Sequence, residues 1–206
     1  MKAILPILLL TVSISAFAQN PRNIMQEEVQ LPNGWKLTPA GRSLPLGDLP
    51  LNLIFSPSGK YAAVTNNGQS VQSIQLIDTR TEKILHTEII AKSWYGLAFS
   101  SDEKFLYASG GNDNRIIKYA IQSNKLVLKD SILLGKKWPT KISPAGICID
   151  SKKNILYVVT KDNNSLFSIN LATKKNKETN TTWCRSLFLH TVIRQKRTLY
   201  FIVGRR

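Results

Sequence analysis

Short apolar runs broken by turn-forming residues fill the chain from position 46 to position 173. The run Leu51-Asn52-Leu53-Ile54-Phe55 ends in Ser56-Pro57-Ser58-Gly59-Lys60, and a second run, Tyr61-Ala62-Ala63-Val64-Thr65-Asn66, follows at once. Two antiparallel strands joined by a tight turn account for that pattern. It returns in Leu97-Ala98-Phe99-Ser100-Ser101-Asp102-Glu103-Lys104-Phe105-Leu106-Tyr107-Ala108-Ser109. It returns again in Ile147-Cys148-Ile149-Asp150-Ser151-Lys152-Lys153-Asn154-Ile155-Leu156-Tyr157-Val158-Val159-Thr160. Phe55 and Phe99 stand 44 residues apart, and Phe99 and Ile149 stand 50 apart.

Strand-rich repeats of that length read as propeller blades. The alternation places four strands in the first blade, at 51–56, 61–66, 73–78 and 83–90. Four more fall at 96–100, 105–109, 115–121 and 126–134. The third blade shows three, at 146–150, 155–161 and 165–170. The polar stretch from Asn176 to Cys184 does not read as its fourth strand, so that blade is expected to be incomplete. The turns carry the expected residues: Asn66-Asn67-Gly68, Gly110-Gly111-Asn112-Asp113-Asn114, and Asp162-Asn163-Asn164 at the same offset as the second. The fold class is therefore all-β, a partial beta-propeller of about three four-stranded blades, the last one incomplete. No long helix is expected in it.

The ends read differently. Residues 1–18 fit a signal peptide: Lys2 is the positive start, 3–14 the apolar region, and Ala16-Phe17-Ala18 the small-x-small cleavage site. The apolar run is too short for a comfortable membrane span. Export to the periplasm or the outside is the expectation, with cleavage after Ala18 and no membrane span. Residues 19–43 form a leader with turn signals at Pro32-Asn33-Gly34 and Pro39-Ala40-Gly41. The leader precedes the first inner strand where later repeats have an outer strand, so it is expected to supply an outer strand. Blades then occupy 44–173.

Charge and cysteine content alter the picture little. The formal net charge is +15, yet nine of the 28 basic residues and only one of the 13 acids lie in 174–206. The other lysines fall singly or in pairs at turns, as solvated turn residues do, and not along a nucleic-acid groove. No nucleic-acid partner is expected. Cys148 lies within an apolar run and reads as a small hydrophobe. Cys184 lies in the basic tail, and no disulfide is expected between them.

Residues 46–66, with Ala63-Val64-Thr65-Asn66 and Tyr157-Val158-Val159-Thr160 as the closest echoes, resemble the repeat of the YVTN-type bacterial beta-propellers. The likeness extends over about 30–173. Leu31-Pro32-Asn33-Gly34-Trp35, Ser109-Gly110-Gly111-Asn112-Asp113-Asn114 and Lys141-Ile142-Ser143-Pro144-Ala145-Gly146 further resemble one subgroup. Its members are exported, with this propeller at the N-terminus and an alkaline-phosphatase-superfamily phosphoesterase domain behind it. This chain holds no counterpart of that second domain, so its metal ligands and nucleophile have nothing to map onto. The resemblance implies a binding or scaffolding module, non-catalytic in this chain, with an unidentified ligand or protein partner.

Residues 174–206 depart from the repeat in a particular way. Back-translating 177–206 with free wobble choices and dropping one base yields an outer strand, a Leu-Gly lead-in and a fourth repeat. Trp183-Cys184 forces the glycine of that lead-in, and the lysine codons at 174 and 175 can form a run of adenines. The expectation is an out-of-frame tail, a chain truncated by a frameshift. A real basic tail is the alternative, and the nucleotides between the codons for Leu171 and Thr182 decide. A blade lacking its outer strand offers unpaired edges, so self-association through open blade edges is also expected.

Groups for chemistry are sparse. No His, Cys, Asp and Glu set has metal-ligand spacing, and no G-x-S-x-G elbow occurs. No metal and no cofactor is expected. Asp78 and Asp150 sit at strand ends, where turn contacts are the ordinary role. The alternative function is a hydrolase, either propeller-lactonase-like or phosphoesterase-associated, but no acid, His and Arg cluster is placed for it. The ligand-mouth candidates are the loops entering the second and third inner strands: Lys92, Trp94 and Tyr95, then Lys137 and Trp138. A cation beside an aromatic suits an anionic or sugar-like ligand. The competing role, and the favoured one, is packing of Trp94 and Trp138 as wedges between blades.

Overall fold

The computed structural model describes residues 29–37, 42–136, 139–180, 190–191 and 201–202 of the 206-residue chain. Two compact units are present, Met1–Ser43 and Leu44–Arg206. In the first, β1 (Val29–Gln30) pairs antiparallel with β2 (Lys36–Leu37). The predicted Pro32-Asn33-Gly34 turn joins them. Gly34 takes φ +83°, Leu31 N–H donates to Trp35 O at 2.7 Å, and Asn33 Oδ1 accepts from Trp35 N–H at 3.1 Å.

The second unit is built of three four-stranded antiparallel sheets. The first runs β3 (Pro50–Phe55), β4 (Tyr61–Asn66), β5 (Ser73–Asp78), β6 (Lys83–Ile89). The second runs β7 (Leu97–Phe99), β8 (Phe105–Ser109), β9 (Arg115–Gln122), β10 (Lys125–Leu133). The third runs β11 (Pro144–Asp150), β12 (Ile155–Thr160), β13 (Ser165–Asn170), β14 (Asn176–Asn180). Each sheet is a simple meander, and the strand positions agree with the sequence pattern to within two residues for the eleven strands it foresaw.

The twelfth corrects the expectation. Asn176–Asn180 is a strand, registered from Ser165↔Asn180 to Ile169↔Asn176, so the third sheet is complete. Its sequence, Asn-Lys-Glu-Thr-Asn, carries no apolar alternation because its described side chains are exposed. Backbone pairing to β13, not burial, makes it a strand. Beyond it, β15 (His190–Thr191) pairs with β16 (Phe201–Ile202). Among the described residues no helix is long and apolar enough to cross a membrane.

The sheets pack in chain order. Inner strand β3 lies beside β7 and β7 beside β11, while outer strand β6 lies beside β10. The core between the first two sheets joins Tyr61, Ala63, Ile74 and Leu76 to Leu97, Phe99, Leu106 and Tyr119. The next joins Tyr107, Ile116 and Ile132 to Ile147, Leu156, Val158, Phe167 and Ile169. Alternation makes this possible: Leu106 and Tyr107 are neighbours in β8 and face opposite sheets. Every residue of β4 is buried, whereas β12 and β13 in the third sheet alternate buried and half-buried positions. Turn side chains close the other connections, as expected. Asp78 Oδ1 accepts from Thr81 N–H at 2.7 Å, and Asp150 Oδ1 accepts from the N–H groups of Lys152 and Lys153 at 3.1 Å each. Cys148 lies in β11 and is half-buried.

Candidate functional site

In a four-stranded meander the loop entering the first strand and the loop between the second and third emerge at the same end. That end therefore gathers 44–49, 67–72, 90–96, 110–114, 134–136, 139–143 and 161–164. Three of the five sequence candidates, Lys92, Trp94 and Tyr95, are described there. Lys137 and Trp138 lie outside the described residues.

The loops are tied to one another by side chains that repeat from blade to blade. Gln72, the residue before β5, accepts from Ser93 N–H through Oε1 at 2.7 Å. Asn114, the residue before β9, accepts from Ser143 N–H through Oδ1 at 2.9 Å and from Ile142 N–H at 3.2 Å. Ser93 and Ser143 each stand three residues before a glycine, Gly96 and Gly146. The same clamp thus joins each blade to the loop entering the next. Asn114 goes further, its Nδ2 donating to Lys136 O at 2.7 Å and Thr140 O at 2.6 Å. All four hydrogen-bonding sites of that buried amide are used. The turn holding it is a short 3-10 segment, Gly111–Asp113, after which Asn114 takes φ 52°, a conformation asparagine tolerates.

Other polar groups at this end do similar work. Ser109 Oγ donates to Pro144 O, joining the second blade to the third. Ser143 Oγ lies 2.5 Å from Asp162 Oδ2 and 3.1 Å from Asn112 Oδ1, so one serine bridges turns of both blades. Asp48 accepts from Ser70 N–H at 3.1 Å, and that bond holds its carboxyl below the usual carboxylate range.

Of the candidates, Trp94 is half-buried beside the 110–114 turn, and Lys161 of the third blade stands over its ring, 5.3 Å from the centroid. A Cβ built on Gly111 would touch Lys92 Cβ at 3.5 Å and Trp94 Cβ at 3.8 Å, which places Lys92 on the same turn. Tyr95 offers its carbonyl to Asn52 Nδ2 at 2.7 Å, joining β3 to the loop entering β7. Trp94 therefore touches a neighbouring blade, and Lys161 is a cation that the sequence did not single out. Ser93 Oγ is buried with no hydrogen-bond partner, so nothing is placed to deprotonate it. Among the described residues no three His, Cys, Asp or Glu side chains converge as metal ligands would. His86 is held in the outer region, its Nδ1 accepting from Leu126 N–H at 3.3 Å. The arrangement is an aromatic ring with one lysine, Lys161, over its face.

With the sheets and their order established, comparison with known proteins gives the family. The model of the YNCE-like beta-propellers matches residues 8–195. This chain belongs to that family. Comparison with curated proteins returns no match. Among solved structures, the Kuenenia stuttgartiensis hydrazine synthase superposes with TM-score 0.53 at 20% identity, over 69% of this chain and 39% of that one. The RRP9 WD40 repeats superpose with TM-score 0.53 at 18% identity, over 68% and 40%. U3-55K superposes with TM-score 0.50 at 16% identity, over 72% and 43%. Identities so low speak to fold alone. The matched part of the chain spans about two fifths of the length of those structures.

Proposed function

We propose that this YNCE-like propeller chain is a non-catalytic part of an exported YVTN-type protein, a binding or scaffolding module whose longer relatives carry a phosphoesterase domain. One observation carries the reading. The polar side chains at the loop end, Gln72, Asn114, Ser109 and Ser143, are committed to backbone and turn groups that hold one blade to the next. A surface of that kind presents loops rigidly, and ligands of propellers are received on such loops. An anionic or sugar-like ligand would meet Trp94, Lys92 and Lys161. Nucleic acid is not the partner proposed, and the periplasm or exterior is the proposed location. Residues 174–206 are proposed to be read out of frame, and the gene's nucleotides between the codons for Leu171 and Thr182 test that directly.

The functional test is hydrolysis of an aryl phosphate and of a simple lactone by this chain and by a frame-repaired product. No turnover is expected from the 206-residue chain, with phosphoesterase activity appearing in the repaired one. Saturable turnover by the 206-residue chain would establish the hydrolase alternative instead.

A further inference from the structure

Side chains cross each blade junction at both ends, and the two ends use different chemistry. At the loop end the bonds come from amides and hydroxyls. Gln72 and Asn52 tie the first blade to the loop entering β7, and Asn114 and Ser109 tie the second to the loop entering β11. None of these side chains gains or loses a proton between neutral and acid pH. The carboxylates described at that end, Asp48, Asp113 and Asp162, each bond within one blade.

Toward the opposite end, each junction holds a carboxylate. Glu103, in the β7–β8 turn, takes φ 57° and reaches back to the β3–β4 turn of the first blade. Its Oε1 accepts from Ser58 N–H and its Oε2 from Ser58 Oγ at 2.8 Å, so both oxygens serve one serine. Asp130, on β10, reaches the β13–β14 turn of the third blade, where Lys174 Nζ lies 2.5 Å from Oδ2. Protonation takes from a carboxylate one acceptor oxygen and the charge that strengthens such bonds. The charged groups around Glu103 are Lys60 across the junction and Asp102 and Lys104 on its own turn, while Lys118 joins Lys174 around Asp130. The bond from Ser58 N–H holds the Glu103 carboxyl below its ordinary 4.5, and the bond from Lys174 holds Asp130 below its ordinary 3.8. Both ties are therefore complete above those values and are lost as pH falls through the lowered ones. His86 crosses the first junction as well, its Nδ1 accepting from Leu126 N–H at 3.3 Å, which an imidazole does only while neutral. The bond from Tyr61 Oη to Asn124 Oδ1, 2.8 Å, is a tie in that region that acid leaves unchanged.

We infer that the carboxylate ties form an acid-released catch between blades, set against a loop-end clamp that acid does not touch. Lowering the pH frees the β3–β4 turn from the β7–β8 turn and the β13–β14 turn from β10. The loops that enter β7 and β11 stay in register. The apolar cores between the sheets contain no titrating carboxylate, so the release is local and the blades remain packed. The device is independent of which ligand the loops receive.

Amide exchange resolved to single residues on the full chain tests this at neutral pH and at about pH 3, with intrinsic rates divided out and circular dichroism confirming β structure at both. Protection of the Ser58 amide should fall about five- to tenfold in acid, the loss of a bond to a charged acceptor, while the Ser93, Ile142 and Ser143 amides keep theirs. Glu103→Gln keeps an acceptor for Ser58 N–H and cannot titrate, so its Ser58 protection should be equal at the two pH values. Asp130→Asn removes the partner of Lys174 at every pH. Its Lys174 amide, which donates to Asn170 O within the turn, should exchange at neutral pH as fast as the parent's does in acid. Unchanged Ser58 protection in acid would overturn the inference. So would loop-end amides that lose protection in step with Ser58, an acid loss that persists in Glu103→Gln, or a Lys174 amide indifferent to Asp130→Asn.

Discussion

Among the described residues, Asn114 is the side chain that serves the most backbone groups. Its amide serves Lys136 O, Thr140 O, Ile142 N–H and Ser143 N–H, binding the loop that enters β11 to the second blade. Replacing it by glycine keeps the left-handed backbone free of strain and removes only the amide. At about 1 kcal/mol per lost hydrogen bond, the loss is roughly 4 kcal/mol. Asn114→Ala adds about 1 kcal/mol for holding a β-carbon at positive φ. Against a domain margin of about 5–15 kcal/mol, either change is severe. Urea unfolding followed by circular dichroism measures it. With a slope of about 2 kcal/mol/M, the midpoint should fall by about 2 M for glycine and somewhat further for alanine. Asn114→Asp keeps the shape but turns a second oxygen toward two carbonyls, so it should be no better than glycine. A glycine variant with the parental midpoint would show that the four bonds contribute nothing net, and the clamp would lose its role as the tie between blades.

Gly96 lies where inner strands meet, and a Cβ there would stand 2.4 Å from Ala145 O and 2.7 Å from Ile147 Cγ1. Gly96→Ala should cost about 1–3 kcal/mol by forcing the second and third blades apart, seen as a lower thermal midpoint. Burial pushes the Tyr119 phenol from 10.0 up to about 12. Its stabilising contribution is full below pH 10 and lost as pH rises through about 12, so alkaline unfolding should fall in that window and move to higher pH in Tyr119→Phe. The bond from Lys174 holds the Asp130 carboxyl below its usual range, so this tie between blades is present above the ordinary carboxylate pKa and is lost as pH falls through the lowered one. Asp130→Asn should flatten that acid limb in a pH titration of stability. Trp94→Ala should cost about 1–2 kcal/mol, short of the roughly 3–5 of a fully buried aromatic, because the ring is half-buried and its partner is Lys161.

The strands were legible because burial on both faces of a middle strand, as in Tyr61–Asn66, writes a continuous apolar run, and turn residues end each run. The turns were legible for the same local reason: Asp78 and Asp150 bind amides two or three residues on. What the sequence concealed was non-local. β14 has no apolar face to advertise, since pairing with β13 alone defines it. The clamp of Gln72 and Asn114 joins residues 21 and 29 positions apart, through two different amides. Its one trace was the asparagine that recurs before the third strand, Asn114 and Asn164, and these share a positive φ of 52° and 50°. Lys161 reached the candidate site only because the third blade packs beside the second, a contact that no spacing along the chain records. Trp94 was read as a wedge between blades; its ring is half-buried, with Lys161 of the third blade over it.

Three consecutive repeats fold as three four-stranded sheets packed in chain order. Amide hydrogen exchange resolved to the strand tests it most directly. Slow exchange is predicted in all three middle pairs, β4 with β5, β8 with β9, and β12 with β13, with protected amides also in 176–180, where β14 pairs with β13. Protection confined to one blade, or free exchange throughout 144–180, would contradict the account.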